Sequence, residues 1–185
     1  MHPTAEGPRD PHPAAATEDV PETVRRFLEA DATQDVAGLA AVLADDVELI
    51  SPLTGAFRFH GRHDVSMVYG AAFELLKDVR VHTVTGSGDT WVFVFTAQTS
   101  AGLVEEFQLL RLDADGLIRE ITMAGRPLPG VLAVLGGIGV GLHRRGVLGR
   151  AAAISSRALA PLAGLFTLIE RHVMPRLAPA PRRTT

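Results

Sequence analysis

Two carboxylate positions offer the clearest chemistry in this sequence. Asp31 lies four residues after Phe27 in a stretch with helical spacing, so both side chains face the same interior. In the segment LVEEFQLLRL, residues 103–112, side chains alternate between the two faces of a strand. One of Glu105 and Glu106 must therefore point inward, and the alternation leaves open which of them it is.

If Glu106 points inward, it shares an apolar interior with Asp31, and the side chain of Gln108 points the same way. A carboxyl group in apolar surroundings has a raised pKa and can act as an acid or a base near neutral pH. Asp31 and Glu106 are therefore the candidate catalytic residues. The alternative is that Asp31 lies in water at the end of its helix and that both glutamates lie near a sheet edge. The candidate residues of a ligand pocket are Phe27, Ser51, Tyr69 and Gln108.

Other kinds of site find little support. The stretch HGRHD, residues 60–64, is the only metal-like cluster, but His60 and His63 have no third histidine nearby, and Asp64 suits the opening of a helix. There is no cysteine, which excludes disulfides, thiolate metal sites and a cysteine nucleophile. No phosphate-binding loop or nucleophile elbow is present. We therefore expect neither a metal nor a cofactor.

Three helices and a sheet must position these residues. Apolar residues at helical spacing predict helices over 20–33, 36–44 and 62–77. Alternating residues predict strands near 47–50, 56–61, 79–85, 90–100, 103–112 and 117–124, and Ser51-Pro52 ends the first of them. Helices followed by an antiparallel meander are typical of an α+β fold in which one face of the sheet packs on helices.

The strand at 90–100 is apolar on both faces. Trp91 and Phe93 lie on one face, and Val92 and Val94 lie on the other. Helices on one side of the sheet would leave the second apolar face in water, so we predict a homodimer formed through the sheet.

The order of these elements resembles the nuclear transport factor 2-like superfamily. The resemblance is carried by ADDVEL before a proline, FHGRHDV at the third helix and LLRLDADGLIREI at the end, and it covers about residues 20–128. Within the superfamily the pattern is most similar to the SnoaL-like group, which includes polyketide cyclases, and to steroid delta-isomerases. The resemblance implies a cone-shaped domain with a curved antiparallel sheet, a scaffold that serves enzymes and plain binders alike.

The resemblance also shows which residues of this sequence stand at the catalytic positions of the steroid isomerases. In the steroid isomerases the residue before the proline is the aspartate that moves the proton, and here it is Ser51. Their tyrosine donor aligns with Phe27, and their neutral aspartic acid falls at about Gln108. All three differ, which argues against isomerase chemistry of that kind. Arg111 and Asp113 match part of the Asp-Arg-Asp relay of related epoxide hydrolases, but Asp113 opens the turn DADG.

Charge divides the chain into an acidic body and a basic tail. Residues 1–125 carry a net charge of −11, whereas residues 126–185 hold nine arginines against one acidic residue, a net charge of +8. The proline-rich residues 1–19 predict a disordered leader rather than a secretory signal, and residues 177–185 predict a disordered end. The arginines have no interleaved aromatic residues, so no nucleic-acid partner is expected.

Residues 129–176 predict an amphipathic helical tail. Its apolar runs, 130–142 and 158–169, are too short to span a bilayer, and arginines flank the apolar positions. Such helices fit the surface of an anionic membrane. The alternative is that they pack on the mouth of the cone or on a partner, since small residues permit close packing.

Three functions remain open at this point. The first is the binding of a small apolar molecule in the cone, with the tail contacting a membrane surface or a partner. The second is an enzyme of the isomerase, cyclase or hydrolase type that uses Asp31 and Glu106 for proton transfer. The third is an interaction module with a vestigial pocket. A cytoplasmic protein is expected, at the inner membrane surface if the tail binds lipid.

Overall fold

The structure is a computed structural model that describes residues 20–52 and 54–177, apart from the side chain of Ala152. The predicted disordered leader, and the predicted disordered end beyond residue 177, lie outside the described residues. The elements in chain order are α1 (Glu22–Thr33), α2 (Val36–Ala40), β1 (Leu43–Ile50), β2 (Phe59–His60), α3 (Arg62–Phe73), β3 (Lys77–Ser87), β4 (Thr90–Thr99), β5 (Gly102–Leu112), β6 (Ile118–Arg126), α4 (Leu128–Arg144), α5 (Arg150–Arg157), α6 (Ala160–His172) and α7 (Met174–Leu177).

The six strands form one sheet in the order β2-β1-β6-β5-β4-β3. The predicted α+β fold is confirmed, with helices α1 to α3 packed against the sheet. Neighbouring strands are antiparallel except for β1 and β6, which run parallel. The chain between these two strands includes α3 and the hairpins of β3 to β5, and this long crossover returns β6 in the direction of β1.

Local interactions set the ends of the first three helices. Asp35 caps α2 by accepting a hydrogen bond from the Ala37 N–H at 3.0 Å. The helix is shorter than predicted, because Leu43 already belongs to β1. Helix α3 likewise ends early, at Phe73, and Gln34 donates to the carbonyl oxygens of Phe73 and Leu76 at 3.3 and 2.9 Å. These two bonds tie the end of α1 to the end of α3.

An aromatic cluster fills the space between the helices and the inner face of the sheet. The Phe27 ring meets Tyr69 and Phe93 edge-to-face at centroid distances of 5.6 and 5.7 Å. Phe93 stacks on Phe95, the next inward residue of β4. Such pairs add about 0.5 to 1.5 kcal/mol each beyond the apolar area that they bury. The cluster thus holds α1, α3 and β4 in fixed positions around the interior.

The outer face of the sheet carries apolar residues on neighbouring strands. Val94 lies opposite Phe107, and Val92 lies opposite Leu109. Phe107 is 38% exposed in the single chain. The homodimer through this face stays a prediction, and the patch is the surface on which it depends.

The first tail helix packs on the domain itself. Helix α4 contacts α3, β5 and β6. Glycines permit this closeness: a Cβ at Gly141 would lie 2.9 Å from the Cβ of Ala71. At the end of the helix Arg145 donates to Glu74 at 2.7 Å and to the Gly70 carbonyl oxygen at 3.0 Å, and Arg144 also pairs with Glu74. These arginines lower the pKa of the Glu74 carboxyl. The outer helices α5 and α6 then pack on α4.

Candidate functional site

A cavity of about 60 Å³ lies between α1, α3, the inner face of the sheet and α4. Its walls are mostly apolar. The polar groups on them come from Asp31, Ser51, Tyr69, Glu106 and Gln108. The apolar lining includes Leu49, Phe59, Val68, Ala72, Phe73, Leu76, Phe95, Met123, Val134, Leu135, Ile138 and Leu142.

Asp31 is buried on the inner side of α1, one residue after Ala30 in the buried stripe of that helix. Only 3% of the residue is exposed. Its Oδ2 atom has no hydrogen-bond partner among the described residues. Burial raises the pKa of the Asp31 carboxyl to about 7. The carboxyl is therefore partly protonated near neutral pH, rather than ionised as it would be in water.

Glu106 reaches the same cavity from β5. The strand pairing places Glu106 opposite Phe95, and it shares the inward face of β5 with Val104 and Gln108. Glu105 points to the outer face and pairs with Arg126. Burial raises the pKa of Glu106 to about 7, the negative charge of Asp31 adds to this rise, and the hydrogen bond from Gln108 opposes it.

A hydrogen-bonded chain orients the second carboxyl. The Tyr69 hydroxyl donates to Oε1 of Gln108 at 2.6 Å, and Nε2 of Gln108 donates to Oε1 of Glu106 at 2.7 Å. Burial raises the pKa of Tyr69 well above its usual value, and the charges of Asp31 and Glu106 add to the effect. Tyr69 therefore remains a neutral donor. It orients the Gln108 amide so that Nε2 of Gln108 faces Oε1 of Glu106.

Two carboxyls with similar raised pKa values can hold different protonation states in one cavity. When one of them ionises, its charge disfavours ionisation of the other. The neutral carboxyl can donate a hydrogen bond, while the ionised one can only accept a hydrogen bond or a proton. Asp31 and Glu106 therefore offer a donor and an acceptor to the same small molecule.

The other candidate pocket residues divide into two groups. Ser51, Tyr69 and Gln108 line the cavity with the two carboxyls. Phe27 does not line it, because its ring is packed between Tyr69 and Phe93 in the layer behind. Packing of the tail on the mouth of the cone was one of the open alternatives, but no residue of α4 was predicted as part of the site. The sequence does contain a signal for the wall that α4 forms, because the apolar residues Val134, Ile138 and Leu142 recur every four residues and so share one face of a helix.

The alternative sites do not form around the cavity. Arg111 pairs with Glu120 at 3.1 Å, and Asp113 accepts bonds from the backbone of its own turn. His60 lies 3.0 Å from Glu48. Across residues 20–52 and 54–177, no three metal-ligating side chains come together in a group that could hold a metal ion.

Comparisons with known proteins identify the family. No curated protein matches the chain. An uncharacterized protein with a cystatin-like fold from Silicibacter pomeroyi is 25% identical, with a TM-score of 0.60, over 75% of this chain and 94% of that chain. A steroid delta-isomerase from Pseudomonas aeruginosa is 26% identical, with a TM-score of 0.58, over 66% of this chain and 88% of that chain. The family model of the SnoaL-like domain matches residues 24–121. Since this match spans more than half of the chain, the protein belongs to the SnoaL-like family and has its nuclear transport factor 2-like fold.

Proposed function

We propose that the cavity binds a small, mainly apolar molecule that carries one hydrogen-bonding group, and that Asp31 and Glu106 hold this group. The observation that carries the proposal is the buried Oδ2 atom of Asp31, which lacks a partner among the described residues while its side chain lines an apolar cavity. A buried polar group without a partner costs roughly 1–3 kcal/mol. A hydroxyl or carbonyl group of a ligand would remove that cost.

The dimensions of the cavity limit the ligand. A volume of about 60 Å³ has room for roughly four water molecules or a correspondingly small organic group. A larger molecule requires α4 to move outward, because Val134, Leu135 and Ile138 of that helix form one wall. Such a movement would break the contacts of α4 with α3, β5 and β6 and the ion pairs of Arg144 and Arg145 with Glu74.

Native mass spectrometry of the full-length protein, purified gently from its own cells, tests the proposal. We expect a discrete added mass on the wild-type protein. The Ala72→Leu variant places extra atoms in the cavity wall and should lose the added mass while remaining folded. Ala37→Leu makes the same change at an exposed helix position away from the cavity and the sheet face, and this matched control should keep the added mass. Wild-type protein with no added mass under these conditions would contradict the proposal.

A second candidate function is proton transfer on the bound molecule. It is favoured by the two carboxyls that face one cavity, each with a pKa raised to about 7. The ionised carboxyl would take a proton from the carbon beside a carbonyl group, and the neutral carboxyl would donate a hydrogen bond to the carbonyl oxygen. Return of the proton to a carbon completes the cycle with no net loss of atoms or charge. Likeness to a steroid delta-isomerase supports this class of reaction, although Ser51 stands where the resemblance places the isomerase base.

Deuterium exchange into a small ketone tests this second function. The wild-type protein in D2O should accelerate exchange at the carbons beside the carbonyl of 2-butanone, with the highest rate near pH 7. Asp31→Asn and Glu106→Gln should each reduce the acceleration strongly, since each removes one member of the pair. Exchange by the wild-type protein at the rate of buffer alone would exclude proton transfer on this class of substrate.

A further inference from the structure

The outer tail helices present an apolar face to solvent. Ala163 is the buried residue of α6, and the opposite side of the helix exposes Leu162, Leu165 and Leu168. Leu165 and Leu168 are 51% and 58% exposed. Ile154 of α5 is exposed as well. We call the three leucines of α6 the tail face. Several leucines on successive turns of one helix form a continuous apolar surface, which a soluble monomer rarely leaves uncovered.

Basic residues flank the tail face along the chain. Helices α5 to α7 contain four arginines, Arg150, Arg157, Arg171 and Arg176, and one acidic residue, Glu170. None of these arginines forms an ion pair within residues 20–52 and 54–177. This contrasts with Arg144 and Arg145, which pair with Glu74. The outer arginines are therefore available to an external anionic partner.

We propose that the tail face docks on the surface of a bilayer that contains anionic lipids. The three leucines of the tail face would enter the boundary between headgroups and acyl chains, while the four arginines contact lipid phosphates and carboxylates. The charge argues against a second copy of the chain as the occupant, because two copies joined through this face would bring like-charged arginine sets together. The proposal is independent of the function of the cavity, from which α4 separates the tail face.

The geometry of the tail favours a helix on the membrane over one that crosses it. Residues Ala153–His172 are long and apolar enough to cross; their most apolar 18 residues have a mean hydropathy of 1.2, and 11% of those residues are buried. This stretch contains Arg157 and Pro161, and a turn at residues 158–159 separates α5 from α6. With 13 residues, α6 alone is about 20 Å long, which is shorter than the hydrocarbon core of about 30 Å.

Vesicle flotation of the full-length protein tests the docking surface. The probes are vesicles of phosphatidylcholine with 30% phosphatidylserine and vesicles of phosphatidylcholine alone, each at low and high salt. We expect flotation with the anionic vesicles at low salt and at least about a tenfold weaker partition when Arg157 and Arg171 are both replaced by glutamine. The double change Leu165→Glu and Leu168→Glu should abolish flotation without unfolding, because both residues are exposed. Phe57→Glu, at an exposed phenylalanine just before β2, is the matched control and should float like the wild type.

Three results would overturn the proposal. The first is that full-length protein stays out of the floating fraction with anionic vesicles at low salt. The second is retention of membrane-bound protein in alkaline carbonate, which indicates a spanning helix. The third is that the Leu165→Glu and Leu168→Glu changes convert a dimer to a monomer in light scattering without lipid, which makes the tail face a contact between copies of the chain.

Discussion

Replacement of Asp31 by asparagine gives the sharpest test of the buried carboxyl. In the unfolded chain the group has its ordinary pKa near 3.8, whereas burial raises the folded value to about 7. Between these two pH values the unfolded chain has lost the proton that the folded protein retains. Stability must therefore fall as the pH rises through this window and level off above it.

The magnitude follows from the size of the shift. Each pKa unit is worth about 1.4 kcal/mol, so a shift of about three units destabilises the wild-type protein by roughly 4 kcal/mol between pH 4 and pH 8. Asp31→Asn removes this titration. It also removes a charge that raises the pKa of Glu106. The loss of stability that the raised pKa of Glu106 causes with rising pH is therefore smaller in the variant. The variant should be similar to the wild type in stability at pH 4 and more stable by roughly 4 kcal/mol at pH 8.

Urea denaturation at a series of pH values measures this difference. Trp91 is the only tryptophan and is 6% exposed, so its fluorescence reports unfolding. Asp46→Asn makes the same chemical change at an exposed position and should leave the pH profile of the wild type unaltered. If the gap between Asp31→Asn and the wild type stays constant from pH 4 to pH 8, the Asp31 carboxyl contacts water and the argument for a site fails.

Three further predictions concern other contacts. Tyr69→Phe leaves Oε1 of Gln108 without its donor, and urea denaturation should show a loss of roughly 1–3 kcal/mol; no loss would mean that the hydrogen bond is absent. Phe107→Glu should convert a wild-type dimer to a monomer in light scattering at micromolar concentration, and a monomeric wild type would contradict the dimer. Glu74→Gln weakens the ion pairs that anchor α4, but overall stability in urea should change little, because the Glu74 side chain is 43% exposed. Amide hydrogen exchange in residues 128–144 should still become several-fold faster, and an unchanged rate would show that this pair does not hold α4.

The sequence predicts the fold well because its periodicities are strong. Alternation over 90–112 defines the two central strands, and the four-residue spacing of Phe27 and Asp31 places the aspartate inside. The parallel pairing of β1 with β6 was missed, because the direction in which a distant strand returns depends on the whole path between them. The shortness of α2 was missed because its helical pattern runs directly into the first residues of β1.

The site was only partly predictable. Alternation shows that one of Glu105 and Glu106 faces inward, but the choice depends on the phase of β5, which the pairing with β4 determines. The four-residue spacing of Phe27 and Asp31 shows that both face the interior. It cannot show whether the Phe27 ring lines a cavity or packs behind its wall, because the rings of Tyr69 and Phe93 decide this. The position of α4 was also undetermined, since a run of small apolar residues packs as well on a protein as in a lipid surface.

The central claim is that Asp31 and Glu106 titrate near neutral pH inside an apolar cavity. Carbon-13 NMR of protein labelled at the aspartate and glutamate carboxyls measures this directly in a pH titration. We expect two carboxyl signals that titrate in coupled steps around pH 7, one absent in Asp31→Asn and the other absent in Glu106→Gln. Midpoints below pH 5 for every carboxyl in the protein would contradict the account, because both groups would then be ionised and in contact with water.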